Sequence, residues 1–250
     1  MKLFPLSAPL IRSGDDFIAC VVGSLAKHKP RAGDIVAITS KSIAVSENRL
    51  IKLSTISPST ESKRIGRKYR VSPELVELVR RDGVIIGGVR GVLLTIAQGI
   101  AVANSGIDLS NVPEGYAVRW PEHPALWAAK IHTAILKTFG VRAGIVITDS
   151  VCSPLRKGTT AVALAIAGFE GIRDERGKRD LYGRKMRLTT VNTADTLASA
   201  ANHLMGERSE RRPFILIRDA GITLSKRSAY ILTRELRISK QRDMFQSLIS

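Results

Sequence analysis

The stretch PALWAAKIHTAILKTFGVRAGIVITDS, residues 124–150, changes its period halfway and decides the fold class. In its first part Leu126, Trp127, Ile131, Ile135 and Leu136 lie towards one face at helical spacing. Gly140 then supplies a stop, so a helix is predicted over Pro124–Phe139. The second part, Ala143–Ile147, is a short apolar run that reads as a buried strand fed by that helix. A helix followed at once by a strand of this kind belongs to an α/β or α+β protein.

Outward from this unit the alternation continues. Upstream, Asp34–Thr39 reads as a strand after the turn Ala32-Gly33, and Val84–Ile86, Val92–Ile96 and Ile100–Ala103 form a glycine-punctuated strand cluster. Ser72, Pro73 and Glu74 supply an N-cap, a proline at the first helical position and an acid in the first turn, which predicts a helix over Pro73–Arg81. Downstream come a strand at Val162–Ala167, a basic segment and a strand at Met186–Val191. A helix over Ala194–Met205 follows, capped by Thr193 and ended by Gly206, and then a strand at Pro213–Ile217. The expected architecture is α/β (α+β), with mixed sheets and flanking helices, as one unit over residues 1–250 or two interleaved subdomains.

Of the 250 residues 44% are hydrophobic, enough for a substantial core, which excludes the disordered class. Apolar runs fall far short of the roughly 20 residues a bilayer span needs. The start Met1-Lys2-Leu3-Phe4-Pro5 lacks the pattern of a secretory signal, so a soluble, cytoplasmic protein is expected. Two cysteines, Cys20 in an apolar helix-like stretch and Cys152 in a polar loop, indicate neither a disulfide framework nor zinc. The net charge of +17 favours phosphates, carboxylates or nucleic acid as partners. With only 5% aromatic residues there is little for bases to stack on, so nucleic acid is not the favoured partner.

Three acids stand where an element gives way to a loop: Asp108, Asp149 and Glu207. Magnesium and manganese take hard oxygen ligands and bridge carboxylates to phosphates, although an isolated Asp also caps turns. No Rossmann or Walker-type glycine loop occurs, so any nucleotide must be held by another arrangement. His28, His123, His132 and His203 show no ligand spacing as a set. His203, one turn before Glu207, reads as a packing residue, and Trp120 and Trp127 as anchors of a core or interface.

The segment Asn104-Ser105-Gly106-Ile107-Asp108-Leu109-Ser110-Asn111-Val112 resembles the Asn-Ala-Gly-Ile-Asp-x-Ser-Asn-Val motif of the coenzyme F-420-0 glutamyl ligases. Thr148-Asp149-Ser150 resembles that family's Thr-Asp-Thr, Arg156-Lys157-Gly158 its Arg-x-Gly, and Lys178-Arg179-Asp180-Leu181-Tyr182-Gly183-Arg184 its basic Asp-Leu-Tyr-Gly-Arg segment. Leu204-Met205-Gly206-Glu207, Pro9-Leu10-Ile11 and Thr39-Ser40-Lys41 extend the likeness over about residues 1–220. The resemblance implies an intertwined homodimer in which Asp108, Asp149, Ser150 and Glu207 hold magnesium or manganese. It also implies that GTP lies against Pro9, Leu10, Ser40, Lys41, Asn111, Met205 and Gly206. The implied reaction activates a carboxylate of a phosphorylated or carboxylated small-molecule acceptor as an acyl phosphate, which the amine of L-glutamate attacks. Arg156 and Lys157, with Arg179 and Arg184, are the candidates for stabilising the moving charge.

Three departures from the family pattern fall near this site. Val45 stands where the family has a lysine, and Val151-Cys152-Ser153 replaces a segment ending in arginine. Arg208-Ser209-Glu210-Arg211-Arg212 replaces a glycine-rich loop. Two alternatives follow: a ligase for a different acid, or a basic nucleic-acid-binding protein on an inactive ligase scaffold.

Overall fold

The computed structural model describes residues 1–248. Along the chain run β1 (Lys2–Leu6), α1 (Phe17–Ala26), β2 (Ile35–Thr39), α2 (Ser40–Ser46), β3 (Leu50–Lys52), α3 (Thr60–Tyr69), α4 (Pro73–Asp82), β4 (Val84–Val89), β5 (Val92–Ala97), β6 (Ile100–Ala103) and β7 (Tyr116–Val118). Then come α5 (Pro124–Phe139), β8 (Gly144–Cys152), β9 (Thr159–Ala167), β10 (Ile172–Asp174), β11 (Thr190–Asn192), α6 (Thr193–Met205), β12 (Phe214–Arg218) and α7 (Ala229–Glu235).

The main sheet has the order β1-β12-β2-β8-β9, with β2 and β8 parallel and the other pairs antiparallel. Side chains alternate across it, as the two-residue period of a strand requires. Val36, Ile38, Ile145, Ile147, Phe214 and Leu216 pack on one face with Phe17, Val21 and Leu25 of α1 and Ile131 and Ile135 of α5. Ile35, Ala37, Val146, Ile215 and Ile217 pack on the other with Leu197, Ala198 and Ala201 of α6. The strands carry near-continuous apolar runs because both faces are covered. The outer edge of β9 is closed by side chains from α7 and just beyond it. Thr233 Oγ1 accepts from Ile166 N at 3.0 Å, and Arg237 Nη2 donates to Leu164 O at 3.0 Å.

Residues between α2 and α5 build a second region around its own core. Leu75, Val76, Leu78 and Val79 of α4 pack with Leu93, Ile107 and Ala117 beside the antiparallel sheet β4-β5-β6. The cap of α4 is as expected, Ser72 Oγ accepting from Leu75 N at 3.3 Å.

The expected mixed α/β architecture is present, with local corrections. The run Met186–Val191 is a strand only from Thr190; Met186–Leu188 belong to a charged excursion whose backbone bonds close on itself. The cap of α6 is Asn192, whose Oδ1 accepts from Asp195 N at 3.0 Å, so Thr193 is already helical. Cys152 ends β8 instead of lying in a loop, because the β8–β9 pairing runs to Cys152↔Thr159. Among the described residues no helix is long and apolar enough to cross a membrane.

Candidate active site

Thr39, the last residue of β2, pairs with Thr148 of β8, so Ser40 at the carboxyl end of β2 lies beside Asp149, where the parallel pairing stops while β8 runs on against β9. Such ends are where open α/β sheets form their ligand crevices. The β8–β9 register shifts between Ile147 and Thr148, an irregularity that re-aims the side chains following it. Asp149 Oδ1 accepts from Ser40 Oγ at 2.9 Å and Oδ2 from Trp120 Nε1 at 2.6 Å. Burial pushes its pKa up to about 6; the nearby Asp108 charge adds to this, against those two hydrogen bonds.

Asp108 follows a turn in which Asn104, Ser105 and Gly106 all have positive φ (50°, 56° and 73°). Three bonds hold this turn: Leu93 N to Asn104 Oδ1, Ser105 N to Thr95 Oγ1 and Ser105 Oγ to Val79 O. Beyond it the Asp108 backbone is bridged to Val118 in both directions, which fixes the carboxylate's origin. Burial works to raise the Asp108 pKa, but Lys41 Nζ at 2.5 Å and two bonds from Ser110 outweigh it and hold the group below its ordinary value.

The third acid arrives from α6, where Gly206, with φ 76°, ends the helix and turns Glu207 towards β8. Glu207 Oε1 accepts from Ser150 Oγ at 2.8 Å and Asn202 Nδ2 at 3.2 Å, and its carbonyl accepts from Asn111 Nδ2 at 3.3 Å.

These elements surround a cavity of about 580 Å³, a usual size for a small-molecule site. Asp108, Asp149, Ser150 and Glu207 line it, and so do Pro9, Leu10, Lys41, Asn111, Met205 and Gly206; Ser40 stands behind, on Asp149. Arg156 and Lys157 are not brought to this cavity. They lie exposed in the turn between β8 and β9, outside its lining. Arg179 and Arg184 are likewise exposed and engaged within their own excursion, with Gly183 O and Asp180 respectively. The cations that do line the cavity are Lys41, Arg208, Arg211 and Arg212, while Val45 contributes an apolar wall. Ser153 and His203 are absent from the lining, and His203 is exposed instead of packed.

The donor set around the cavity suits a hard cation. The acids are joined by the hydroxyl of Ser150, and Thr148 Oγ1, buried at the cavity wall, has no hydrogen-bond partner. Among the described residues no three acids, histidines or cysteines close into a cage; Ser150 and Glu207 are bonded to each other, while Asp108 and Asp149 line the cavity separately from them. Separate groups around an open cavity fit ions that complete their shells with substrate phosphate.

Sequence reasoning read Trp120 only as an anchor. Its signal was the indole N–H, which needs a partner when the ring is buried, and here the ring is 4% exposed with Asp149 as that partner.

The family model described as F420-0:Gamma-glutamyl ligase matches residues 5–219. The chain belongs to the F420-0:gamma-glutamyl ligase family. It is 32% identical to the coenzyme F420:L-glutamate ligase of Methanopyrus kandleri over 94% of this chain and 93% of that one. It is 34% identical to the ligase of the same name from Methanothermobacter thermautotrophicus over 84% and 85% of the two chains. With that of Methanocaldococcus jannaschii it shares 30% identity over 99% and 97%. The F420-0:gamma-glutamyl ligase match takes in every residue that lines the cavity, from Ala8 to Pro213, whereas α7 lies beyond it.

Proposed function

We propose that this chain is a GTP- and divalent-metal-dependent ligase that joins L-glutamate to a carboxylic acid, coenzyme F420-0 or a relative of it. The observation that carries the reading is the meeting of three carboxylates and the cationic Lys41, Arg208, Arg211 and Arg212 around one cavity. Acids beside surplus cations suit a polyphosphate that arrives with its metal ions. Family membership and the names of the relatives supply the acceptor and L-glutamate in this proposal; GTP comes from the resemblance of the sequence motifs.

A carboxylate oxygen of the acceptor attacks the γ-phosphorus of GTP, GDP leaves, and an acyl phosphate results. The glutamate amine then attacks the acyl carbon and expels phosphate, leaving the amide. Asp108, Asp149, Ser150 and Glu207 would hold magnesium or manganese, which supplies charge neutralisation on the phosphates. Lys41, with Arg211 and Arg212, orients the polyphosphate, and Asn111 with the turn at Met205 and Gly206 bounds the nucleotide. Arg156 and Lys157 would enter only by a movement of their turn or from a second copy.

A homodimer is part of the proposal. Its support is an exposed apolar face on β4 and β5, where Val84, Val89, Val92 and Leu94 are each at least 40% exposed.

The test is incubation of the protein with F420-0, L-glutamate, GTP and Mn2+, following GDP release and a one-glutamyl mass increase of the acceptor, beside Asp149→Ala. Product formation lost in a folded Asp149→Ala protein supports the reading. GDP release and product that persist in the variant sink the site assignment, and their absence in the unaltered protein sinks the acceptor.

A further inference from the structure

We propose that Trp120 is a positioning residue for the Asp149 carboxylate, holding it, through the indole N–H, in the orientation that receives a divalent cation. This rests on the metal-site reading above.

Asp149 lines the cavity with both oxygens already engaged by one donor each: Ser40 Oγ on Oδ1 and Trp120 Nε1 on Oδ2. Two donors on opposite oxygens fix the carboxylate's rotation, and each oxygen keeps a lone pair for an ion. The two donors differ in kind. A hydroxyl can turn and accept, whereas an indole N–H only donates, so Trp120 orients the carboxylate and never competes for the cation. Partners of this type behind a metal ligand typically set affinity by about 10–100-fold.

Both the ring and the backbone of Trp120 are held in place. Gly106 lies against the ring so closely that any Cβ there would overlap it, and its φ of 73° also favours glycine. The backbone of Trp120 is held separately, Arg49 Nε donating to its carbonyl at 3.0 Å. The turn Asn104–Gly106 thus does two things at once: it leads into Asp108 and it seats the ring that holds Asp149.

The experiment is Mn2+ binding to the protein, without nucleotide and with a non-hydrolysable GTP analogue, read by electron paramagnetic resonance of free Mn2+, for the unaltered protein, Trp120→Phe and Trp120→Gln. Phenylalanine keeps an aromatic ring and removes the donor; glutamine restores an N–H of similar reach. The expected result is a Kd about tenfold weaker for Trp120→Phe, largely recovered in Trp120→Gln despite its poorer packing. The chain has two tryptophans, so in a Trp127→Phe background all indole emission comes from Trp120, and added Mn2+ quenches it. A folded Trp120→Phe protein with unchanged Mn2+ affinity overturns the positioning role and leaves the metal reading standing. Equal weakening in both variants overturns it too, since only packing would then be at stake. An unaltered protein that binds no Mn2+ with or without the analogue removes the metal reading, and this inference with it.

Discussion

Lys41 Nζ lies 2.5 Å from Asp108 Oδ2 and also donates to the carbonyl and hydroxyl of Ser110, so one ammonium ties α2 to the segment after β6 across the cavity. The pair is part-exposed and worth little to stability, about 1 kcal/mol or less. Its larger consequence on the proposed reading is for binding, because Asp108 would turn to the metal and Lys41 would be freed for phosphate. Lys41→Met should therefore change the unfolding free energy by no more than about 1 kcal/mol while weakening GTP binding about tenfold. Calorimetry with GTP and Mn2+ measures the second effect and urea unfolding the first.

Asp149 gives a pH dependence with a definite sign. Its folded pKa of about 6 lies above its ordinary 3.8, so the folded state holds the proton more tightly. The stability this brings is present below about 3.8 and is lost as pH rises through 6, above which an ionised carboxylate is kept in an unfavourable place. Asparagine removes that cost, and Ser40 Oγ can turn to accept from its amide. Metal-free Asp149→Asn should melt higher than the unaltered protein at pH 8, by about 3 kcal/mol in stability, and nearly match it at pH 4. Scanning calorimetry at the two pH values checks this.

Glu77 has the opposite sign. It accepts from Ser59 N, Ser62 Oγ and Ser59 Oγ, which bring its pKa down to about 2 and tie α4 to the start of α3. Its stabilisation is present above its ordinary 4.5 and is lost as pH falls from there towards 2. Glu77→Gln should be less stable than the unaltered protein at pH 7, with the difference shrinking by pH 3 in urea titrations.

The residues legible in sequence were those whose signal is local. Pro124–Phe139 and Pro73–Asp82 carry their own period and punctuation and fold nearly as read. Asp108, Asp149 and Glu207 were marked by acidity at expected element ends, although β8 runs on past Asp149 to Cys152, and the chain order of the family motifs brought Asn111 and Lys41 with them. What could not be read depends on contacts distant in sequence. Trp120 meets Asp149 from 29 residues away, and Arg208–Arg212 enter the cavity because Gly206 ends α6 and turns the chain across β8. The short helix α7 was invisible because seven residues at the β9 edge are held by tertiary packing, not by a period of their own.

On β5 the outward Val92 and Leu94 flank the buried Leu93, so the exposed valines and leucine of this sheet are a regular face and not scattered residues. Val92→Lys with Leu94→Lys leaves the inward side untouched. Light scattering should give twice the chain mass for the unaltered protein and the chain mass for the double variant, with an unchanged circular dichroism spectrum. A monomeric unaltered protein would remove the dimer from the proposal.

Arg156 and Lys157 provide the sharpest comparison between motif and geometry. They occupy a turn in which Leu155 is wholly exposed with φ 55°, and neither lines the cavity that Lys41, Arg211 and Arg212 share. A cation must sit within hydrogen-bond reach of the moving phosphoryl group to stabilise it, and charge in water beyond about 10 Å is screened. Arg156→Ala with Lys157→Ala should therefore keep kcat/KM within about threefold, while Arg211→Ala with Arg212→Ala lowers it by about 100-fold, the loss of two charge-assisted contacts. Steady-state kinetics of GDP release decides between them. A collapse of activity in the first pair alone would mean that the turn closes over the cavity during turnover, or that it completes the site of a second copy.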